Sequence, residues 1–368
     1  MYKRIFSVMM VACSQIIWAQ QHVLQAGPMV GYSEMLEVKL WLQTKSAARV
    51  YIAYSNDSLK IRRRTDVVLT DKGTAFTAHL LADSVVPGLR YQYEVYINDV
   101  KLKFPYPLQF QTLSLWQHRS DPPNFKFALG SCFYANEEAY DRPDRSYGGN
   151  YEIFTEIHKH RPDFMVWLGD NVYLREPDWN SRTGILRRYT HTRAVKELQP
   201  LLASSHHYAI WDDHDFGPND ASWSFHGKEL TLEACKLFWA NLNYGVGGTE
   251  GITGTFEWGD AQFFLLDDRW YRENPKLSDS AKTMLGAKQL SWLIDALKAS
   301  KASYKFVAVG SQVLNPNGDF ETFVNYKQER EALLEMVFLN KIKNVVFLTG
   351  DRHFTELNTM QRGKREVY

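Results

Sequence analysis

The chain has 368 residues, of which 45% are hydrophobic and 23% are charged, and its formal net charge is +1. This length is enough for two domains with a sizeable core, and the balance of residue types is ordinary for a soluble globular protein. The near-neutral charge excludes nucleic-acid binding through bulk positive charge, and after the first residues no apolar run is long enough for a transmembrane segment.

The first segment, residues 1–20, has the pattern of a secretory signal peptide. A positively charged start precedes a short apolar run, and cleavage is predicted after Ala19 or Gln20. We therefore expect a secreted or periplasmic protein, exported by the general route because no twin-arginine pair is present. Two alternatives are a buried first strand and lipoprotein anchoring at Cys13, since residues 10–13 weakly resemble a lipoprotein cleavage box.

Residues 22–117 are predicted to form an all-β domain. Hydrophobic and polar residues alternate with a period of two at 37–43, 50–54 and 90–97, which is typical of strands with one buried face. Helix signals are scarce, so we expect a fibronectin-like β-sandwich. Metal-ligating residues are not clustered in this region, which favours an accessory role in packing or in shaping a substrate site.

From residue 124 the pattern changes to strands that alternate with helices, after a polar linker that contains proline. Periodic apolar residues predict helices at 151–160, 186–202, 229–244, 287–299 and 328–340, and alternation predicts a hairpin over 254–267. This order of elements predicts an α/β domain over residues 124–368, with helices covering a central sheet. Its last residues read as the start of a further strand, so we also expect the domain to be C-terminally truncated.

Four short polar motifs, each after an apolar strand-like run, are the strongest functional signal in the sequence. They are Gly-Ser-Cys at 130–132, Gly-Asp-Asn-Val-Tyr at 169–173, Asp-Asp-His-Asp at 212–215 and Gly-Asp-Arg-His at 350–353. Ligands bind beyond the carboxyl ends of strands in open α/β sheets, so we expect the four motifs to converge. Their thiol, carboxyl, phenol and imidazole groups are the donors that a di- or trinuclear metal site needs.

The first two motifs supply donors that favour iron. Asp170 follows a strand end and can bridge two cations with its two oxygens, and Tyr173 can return to the same point as a phenolate. A phenolate together with a thiolate from Cys132 favours Fe³⁺. The alternative is that Asp170 only caps a turn and Tyr173 belongs to the core. Cys235 lies among apolar neighbours in a predicted helix, so we expect a buried small hydrophobe rather than a disulfide partner.

The third motif combines metal binding with acid catalysis. We assign Asp213 to a metal and His214 to protonation of the leaving oxygen, because an imidazole beside a bound phosphate can serve as a general acid. Asp212 is the alternative metal ligand. Asp212, Asn171 and Asn219 are expected to line the site, although a turn role for Asn219 is equally consistent with the sequence.

The fourth motif is expected to complete the site. Residues two apart on an extended segment point the same way, so Asp351 and His353 are predicted to face inward as metal ligands. Arg352 is then predicted to point away from the site. The alternative is an ordinary polar turn that leaves a strand.

In order and spacing, these blocks resemble the signature motifs of the PhoD-like (alkaline phosphatase D) phosphatases, a branch of the calcineurin-like metallophosphatase superfamily. The motifs that carry this resemblance are Gly-Ser-Cys, Trp-Leu-Gly-Asp-Asn-Val-Tyr, Trp-Asp-Asp-His-Asp and Leu-Thr-Gly-Asp-Arg-His-Phe. The resemblance spans about residues 27–357. Gly-Ser-Cys stands where the superfamily more usually has Asp-x-His, as in the PhoD-like branch.

The resemblance implies a four-layer α/β/β/α domain after a β-sandwich, and a centre that contains Fe³⁺ and Ca²⁺ or another divalent metal. By motif position, Cys132, Asp170 and Tyr173 would hold the iron. Asp170 and Asp213 would serve the second metal, and the fourth motif, with Asp351 and His353, would complete the cluster.

The predicted function is a secreted metal-dependent phosphoesterase that hydrolyses phosphomonoesters by attack of a metal-activated water. One alternative is a phosphodiesterase that acts on cell-wall or glycerophosphodiester polymers. A second alternative is a non-catalytic surface binding protein on a phosphatase scaffold. Loss of a metal-ligating residue would favour this alternative, but all expected ligand types are present. The expected partner is therefore a small-molecule or polymeric phosphoester, and we expect a monomer.

Overall fold

The computed structural model of the protein describes residues 23–362 and 365–367. The predicted signal peptide at 1–20 and the alternative anchor at Cys13 lie outside the described residues. The strands are β1 Leu24–Ser33, β2 Val38–Thr44, β3 Arg49–Asn56, β4 Ile61–Arg64, β5 Val68–Leu69, β6 Thr77–Ala82, β7 Arg90–Ile97, β8 Val100–Lys101, β9 Gln109–Gln111, β10 Phe127–Gly130, β11 Phe164–Leu168, β12 His206–Ile210, β13 Gly254–Trp258, β14 Ala261–Leu265, β15 Tyr304–Val309, β16 Val345–Thr349, β17 Met360–Arg362 and β18 Arg365–Val367.

The helices of the described residues are mostly amphipathic or buried on one side. They are α1 Glu152–Lys159, α2 Arg182–Arg193, α3 Gln199–Leu202, α4 Asp213–Phe216, α5 Lys228–Phe238, α6 Ala287–Ala299 and α7 Lys327–Leu339. Short 3-10 turns occupy Lys72–Thr74, Lys196–Leu198, Val246–Gly248 and Phe323–Tyr326. Within the described ranges, no helix combines the length and the apolar character that crossing a membrane requires.

One six-stranded sheet runs through both parts of the chain, in the order β10-β11-β12-β1-β2-β6. Strands β10, β11 and β12 are parallel, and β1 continues the sheet by pairing in parallel with β12 at Val30 and His206. Strands from the first part of the chain therefore extend the sheet that carries the second and third motifs. The division into residues 22–117 and 124–368 stays a prediction, and this sheet crosses it.

A second sheet, in the order β13-β14-β15-β16, stacks on the inner end of the first. Aromatic rings fill the space between the two sheets. The ring centroid of Phe127 lies 5.4 Å from that of Phe263, and the ring centroid of Phe164 lies 5.7 Å from that of Phe256. Helices α1, α2 and α5 pack on the outer face of the first sheet, and α6 and α7 pack on the outer face of the second. The predicted four-layer α/β/β/α fold is therefore confirmed.

The outer strands of the first sheet also form one half of a β-sandwich. The other half is the sheet β4-β3-β7-β8, with β5 and β9 at its edges. Alternate residues of β7 are buried, so its hydrophobic face lies against the first sheet. Leu40 and Leu42 pack with Val50, Ile52 and Val95 in one buried cluster.

Two predicted helices are shorter than the sequence pattern indicates. The helix predicted over 186–202 ends at Arg193, because the backbone of Val195 is not helical. The separate helix α3 begins at Gln199 and has Pro200, which has no backbone N–H, in its first turn. The helix predicted over 229–244 ends at Phe238, since Trp239 is extended. The prediction for α6 is confirmed at both ends, as is the hairpin of β13 and β14.

Candidate functional site

The carboxyl ends of the two sheets approach each other closely at two glycines. The amide of Gly350 donates to the carbonyl of Gly310 over 2.9 Å, which joins the ends of β16 and β15. A Cβ on Gly350 would lie 2.3 Å from the Leu168 carbonyl oxygen, and one on Gly310 would lie 2.5 Å from Cγ of Asp212. Because neither position has room for a side chain, the glycines allow the strand ends of both sheets to converge.

Three of the predicted ligands adopt the left-handed backbone conformation directly after their strands. The φ angles are 58° at Cys132, 53° at Asp170 and 66° at Asp351. This conformation is unfavourable for residues with a Cβ, and such strain is concentrated at functional sites.

Asp170 is the centre of the cluster. Its carboxylate lies 3.2 Å from the hydroxyl of Tyr173 and 3.8 Å from Sγ of Cys132, and it accepts from the amide of His214 over 3.3 Å. Burial, followed by the nearby charge of Asp213, raises the pKa of Asp170. Residues of the first three motifs therefore meet at Asp170, as the sequence predicts.

Cys132 and Tyr173 both lie beside the Asp170 carboxylate. Burial and the charge of Asp170 raise the pKa of the Cys132 thiol and of the Tyr173 phenol. A thiolate and a phenolate beside a carboxylate would repel it, and a cation between them would offset that repulsion and favour the anionic forms. The thiol of Cys235 is buried in α5, as expected, and among the described residues neither Cys132 nor Cys235 is in a disulfide.

Asp213 and His214 complete the innermost group. Ligand atoms of Asp170, Asp213 and His214 lie within 4.8 Å of one another. Burial would raise the pKa of Asp213, but the charges of Arg269 and His214 outweigh it, and the pKa is lowered. Burial lowers the pKa of His214, whose ring centroid lies 4.3 Å from that of Tyr173.

Asp212 lies behind the cluster rather than at its lining. It is fully buried, and Oδ1 accepts from Nε of Arg269 over 2.5 Å. Arg269 also donates to Glu321 over 3.1 Å, and Arg272 donates to the same carboxylate over 2.8 Å. Ligand atoms of Asp212, Asp213 and Glu321 form a second group within 4.8 Å. Asp212 is not among the residues that line the cleft, because Arg269, from the end of β14 in the opposite sheet, holds its carboxylate from behind. Its role at the site stays a prediction.

Asn171 is also buried and is not among the residues that line the cleft, so its predicted place at the site stays a prediction. Its side-chain amide donates to the carbonyl of Ile210 over 2.7 Å, and its backbone amide donates to Asp215 over 3.0 Å. The same Asp215 carboxylate accepts from the amides of Val172 and Asp212. Asp215 therefore holds the second and third motifs against each other.

The fourth motif bends instead of continuing as an extended segment. After the positive φ of Asp351, the amide of Arg352 donates to the carbonyl of Gly350 over 2.8 Å, and residues 351–354 form a bend. The predicted alternation is therefore wrong. Arg352 is half-buried and lines the cleft, whereas His353 lines the same cleft with an exposed side chain. Burial, then the charge of Asp213, raises the pKa of Asp351 to about 7.

The donor set fits hard cations. Oδ2 of Asp212, Oδ1 of Asp213 and Nδ1 of His214 are buried without a hydrogen-bond partner in the described structure. Buried polar atoms without a partner are costly, and carboxylate oxygens are ligands that hard cations prefer. The orphaned atoms and the crowded carboxylates therefore both favour a site that binds positive ions.

A cleft of about 1190 Å³ opens directly above this cluster. Cys132, Tyr173, His214 and Asn219 are among the residues that line it, so the prediction for Asn219 agrees with its position. The volume exceeds the upper end of the range typical for small-ligand pockets. The cleft can therefore hold a substrate larger than a simple phosphate ester.

Sequence reasoning missed Arg269, Glu321 and the positioning role of Asp215. Arg269 follows Asp267 and Asp268 at the end of the apolar run in β14, so it belongs to a fifth motif of the same kind. That signal was available in the sequence. Glu321 lies between β15 and α7 without a recognisable motif, and only the fold brings it to Arg269.

The four-layer architecture is a metallophosphatase-like fold, with a cluster of acidic side chains at its strand ends. The structure resembles a solved structure of PhoD with a TM-score of 0.72 and 20% identity, over 90% of this chain and 72% of that chain. It also resembles the purple acid phosphatase PPD1 of yellow lupin (Lupinus luteus) seeds, with a TM-score of 0.59 and 11% identity, over 87% of this chain and 57% of that one. At these identities the likeness shows the fold alone.

The sequence comparison identifies the family. The PhoD-like phosphatase family matches residues 127–367, and the chain therefore belongs to that family. Alkaline phosphatase D of Bacillus subtilis (strain 168) is 24% identical over 346 residues, which cover 80% of this chain. The chain spans 55% of the length of that relative. The resemblance seen in the four motifs is confirmed.

Proposed function

We propose that this protein is a secreted, metal-dependent phosphoesterase that hydrolyses phosphomonoesters by attack of an activated water. The observation that carries the proposal is the buried group of Asp170, Asp213 and His214, whose ligand atoms lie within 4.8 Å of one another below a large cleft. Membership of the PhoD-like phosphatase family supports the same class of reaction.

The proposed cation ligands come from all four motifs. Cys132, Asp170 and Tyr173 would hold the first cation, which their anionic sulfur and phenolate donors favour as Fe³⁺. Asp170 and Asp213 would hold the second, proposed as Ca²⁺, with Asp351 and His353 completing the set. Cations held there would polarise the phosphoryl oxygens and activate water for in-line attack.

His214 is proposed to protonate the leaving oxygen. Its ring lines the cleft against Tyr173, and burial keeps its pKa below the ordinary value in the absence of substrate. An incoming phosphate anion would raise that pKa, so the imidazole gains its proton as the substrate binds. The leaving oxygen can then take the proton from His214 as the ester bond breaks.

A phosphodiester substrate is the second candidate. The cleft of about 1190 Å³ is larger than a small monoester requires, which favours an ester with a bulky second substituent, such as a unit of a cell-wall or glycerophosphodiester polymer. Parallel assays with a nitrophenyl phosphomonoester and the matching phosphodiester distinguish the two candidates. A purified protein that binds metal but hydrolyses neither would contradict both, and would favour the binding-protein alternative.

The replacement His214→Ala tests the proposed mechanism. We expect kcat to fall by roughly 10²- to 10⁴-fold while the metal content stays near normal. The loss should be smaller for a nitrophenyl ester than for an alkyl ester, because the more acidic leaving group needs less protonation. The exposed His226→Ala is the control and should change neither quantity. If metal content fell with activity, and both esters suffered equally, His214 would be a metal ligand instead.

A further inference from the structure

Three arginine side chains surround one tyrosine ring on a wall of the cleft that the proposed reaction does not use. The guanidinium carbons of Arg142, Arg145 and Arg175 lie 5.8, 5.2 and 4.9 Å from the ring centroid of Tyr147. All four residues line the same cleft as His214. We call the three arginines together with Tyr147 the arginine wall.

None of the three arginines of the wall forms an ion pair within the part of the chain that the structure describes. The arginines of the neighbouring helix α2 behave differently, because Arg182 pairs with Glu233 and both Arg187 and Arg188 pair with Asp178. Carboxylates are therefore available to arginines in this part of the molecule, yet the cleft-facing arginines are left without one.

Asp144 lies between Arg142 and Arg145 along the chain, but it is exposed and forms no ion pair with either of them in the described structure. Asp141, which precedes Arg142, is already engaged. Asp141 accepts from the hydroxyl of Tyr134 over 2.5 Å and from the amide of Glu137 over 2.6 Å, so both of its oxygens have donors. Nε of Arg175 donates to the same Tyr134 hydroxyl over 3.1 Å, which fixes the guanidinium without neutralising it. The positive charge of the wall thus faces the cleft.

The packing of the wall suits an anion rather than an apolar group. Three like charges around one ring repel one another, and the face of Tyr147 offsets only part of that repulsion. Guanidinium groups are planar and bind phosphate oxygens through pairs of parallel hydrogen bonds, and all three of these groups lie near the same ring. A phosphate group has enough oxygens to contact more than one of them, whereas a carboxylate has only two.

We propose that the arginine wall is a second anion subsite, which binds a phosphate group carried by the leaving part of the substrate. The preferred substrates are then organic compounds with two phosphate groups, one hydrolysed at the strand ends and the other held by Arg142, Arg145 and Arg175. This inference rests on the proposed function, because it places the scissile phosphate at the cluster around Asp170.

The kinetic test compares alkanediol bisphosphates of increasing chain length with alkyl monophosphates of the same length, using the metal-loaded protein. We expect kcat/KM for the best bisphosphate to exceed that of its monophosphate by roughly tenfold, which is the size of a charge-assisted hydrogen bond and more than the statistical factor for two equivalent ends. Equal values at every chain length would overturn the inference. If carboxyalkyl phosphates exceeded the alkyl monophosphates in kcat/KM by as much as the bisphosphates do, the assignment of the subsite to phosphate would be overturned.

A matched pair of variants separates the subsite from bulk charge. Arg142→Gln with Arg145→Gln should remove most of the preference for the bisphosphate. Arg62→Gln with Arg63→Gln, at exposed positions of β4, removes the same charge from the sandwich and should keep the preference. An equal loss in both variants would mean that long-range attraction explains the preference, and the subsite would be refuted.

Binding measurements keep this inference distinct from the proposed function. Titration calorimetry of alkane bisphosphonates and alkyl monophosphonates reports the same preference without turnover. If neither phosphate ester is hydrolysed but bisphosphonates bind more tightly, and only the Arg142/Arg145 variant loses that difference, the proposed function fails and the subsite stands. If monophosphates are hydrolysed and no bisphosphate or bisphosphonate preference exists, the proposed function stands and the subsite fails.

Discussion

The first sheet contributes to two regions whose buried side chains differ in kind. These regions are the β-sandwich and the strand ends that carry the motifs. In the sandwich, Leu40 and Ile52 are fully buried among other apolar side chains, and the buried hydroxyls of Thr44 and Thr70 hydrogen-bond to each other over 2.7 Å. At the strand ends, buried carboxylates crowd together, and Oδ1 of Asp213 has no partner in the described structure. The sandwich core is mostly apolar, whereas the strand ends gather carboxylates, some of whose oxygens have no partner in the described structure.

This difference has an energetic consequence. Arg269 and Arg272 are buried cations beside the cluster, and together they contact Asp212, Asp213 and Glu321, which carry more negative charge than two guanidinium groups offset. Unpaired buried charges destabilise a fold, and a ligand that binds only the folded state restores the lost stability. We therefore expect the stability of the strand ends to depend on bound cations and that of the sandwich core to depend on packing alone.

The largest expected effect comes from Asp170→Asn. The substitution removes the charge that the proposed cations share, so we expect loss of at least one metal and a fall in activity of roughly 10³-fold or more. Metal analysis of the purified variant, together with a phosphatase assay, measures both. Asp295→Asn, at an exposed position of α6, is the matched control and should change neither. Full metal occupancy in Asp170→Asn would show that Asp170 is only a turn residue.

Removal of metals by a chelator tests whether the strand ends depend on bound cations for their stability. A chelator should lower the free energy of unfolding by about 3 to 4 kcal/mol when cations are present at concentrations far above their dissociation constants. The chelator should have a smaller effect on Asp170→Asn, which has less metal to lose. An identical shift in both proteins would mean that the cations bind elsewhere.

The replacement Ile52→Ala tests the sandwich side of the comparison. Ile52 is fully buried in the sandwich core, so truncation should lower the free energy of unfolding by about 2 to 4 kcal/mol. Ile52→Val should cost about 1 kcal/mol, because it removes a single methyl group. Urea denaturation measures both values. Metal content and kcat should be unchanged below the unfolding transition, and a loss of metal in the folded variant would show that the two regions are coupled.

The sequence predicts the parts of this molecule that depend on local pattern. Apolar runs followed by polar motifs correctly locate the ends of β10, β11, β12 and β16, because burial of a strand and exposure of its end are both visible along the chain. Asp170 and Asp213 meet because parallel strands align their carboxyl ends. The four-layer fold follows from the alternation of strands and helices.

Long-range pairing and backbone conformation are not encoded in such patterns. The parallel pairing of β1 with β12 joins residues far apart in sequence, and nothing near Val30 indicates it. The contact of Arg269 with Glu321 likewise depends on the fold. The positive φ of Asp351 replaces the extended geometry that alternation predicts, so Arg352 lines the cleft instead of pointing away from it.

The smallest expected effect lies where the two regions meet, at His206 between β1 and β12. The amide of Gln111 donates to Nε2 over 3.1 Å, so Nδ1 carries the proton and donates to the carbonyl of Gly31 over 2.8 Å. Burial, which outweighs these backbone contacts, lowers the pKa of His206 from 6.5 to about 4. The folded protein therefore keeps this imidazole neutral over a pH range in which the unfolded chain takes up a proton.

The sign of the resulting pH dependence follows directly. Above pH 6.5 the imidazole is neutral in both states and contributes nothing, but as the pH falls towards 4 only the unfolded chain is protonated, so stability decreases. At pH 5.5 this amounts to about 1 kcal/mol. Urea denaturation at neutral pH and at about pH 5.5 measures how much free energy of unfolding each protein loses on acidification. We expect this loss to be about 1 kcal/mol smaller for His206→Gln than for the unaltered protein. The loss for the exposed His226→Gln should equal that of the unaltered protein. Equal acid sensitivity in His206→Gln would mean that His206 is already protonated in the fold, and that the junction of the two regions tolerates a buried charge.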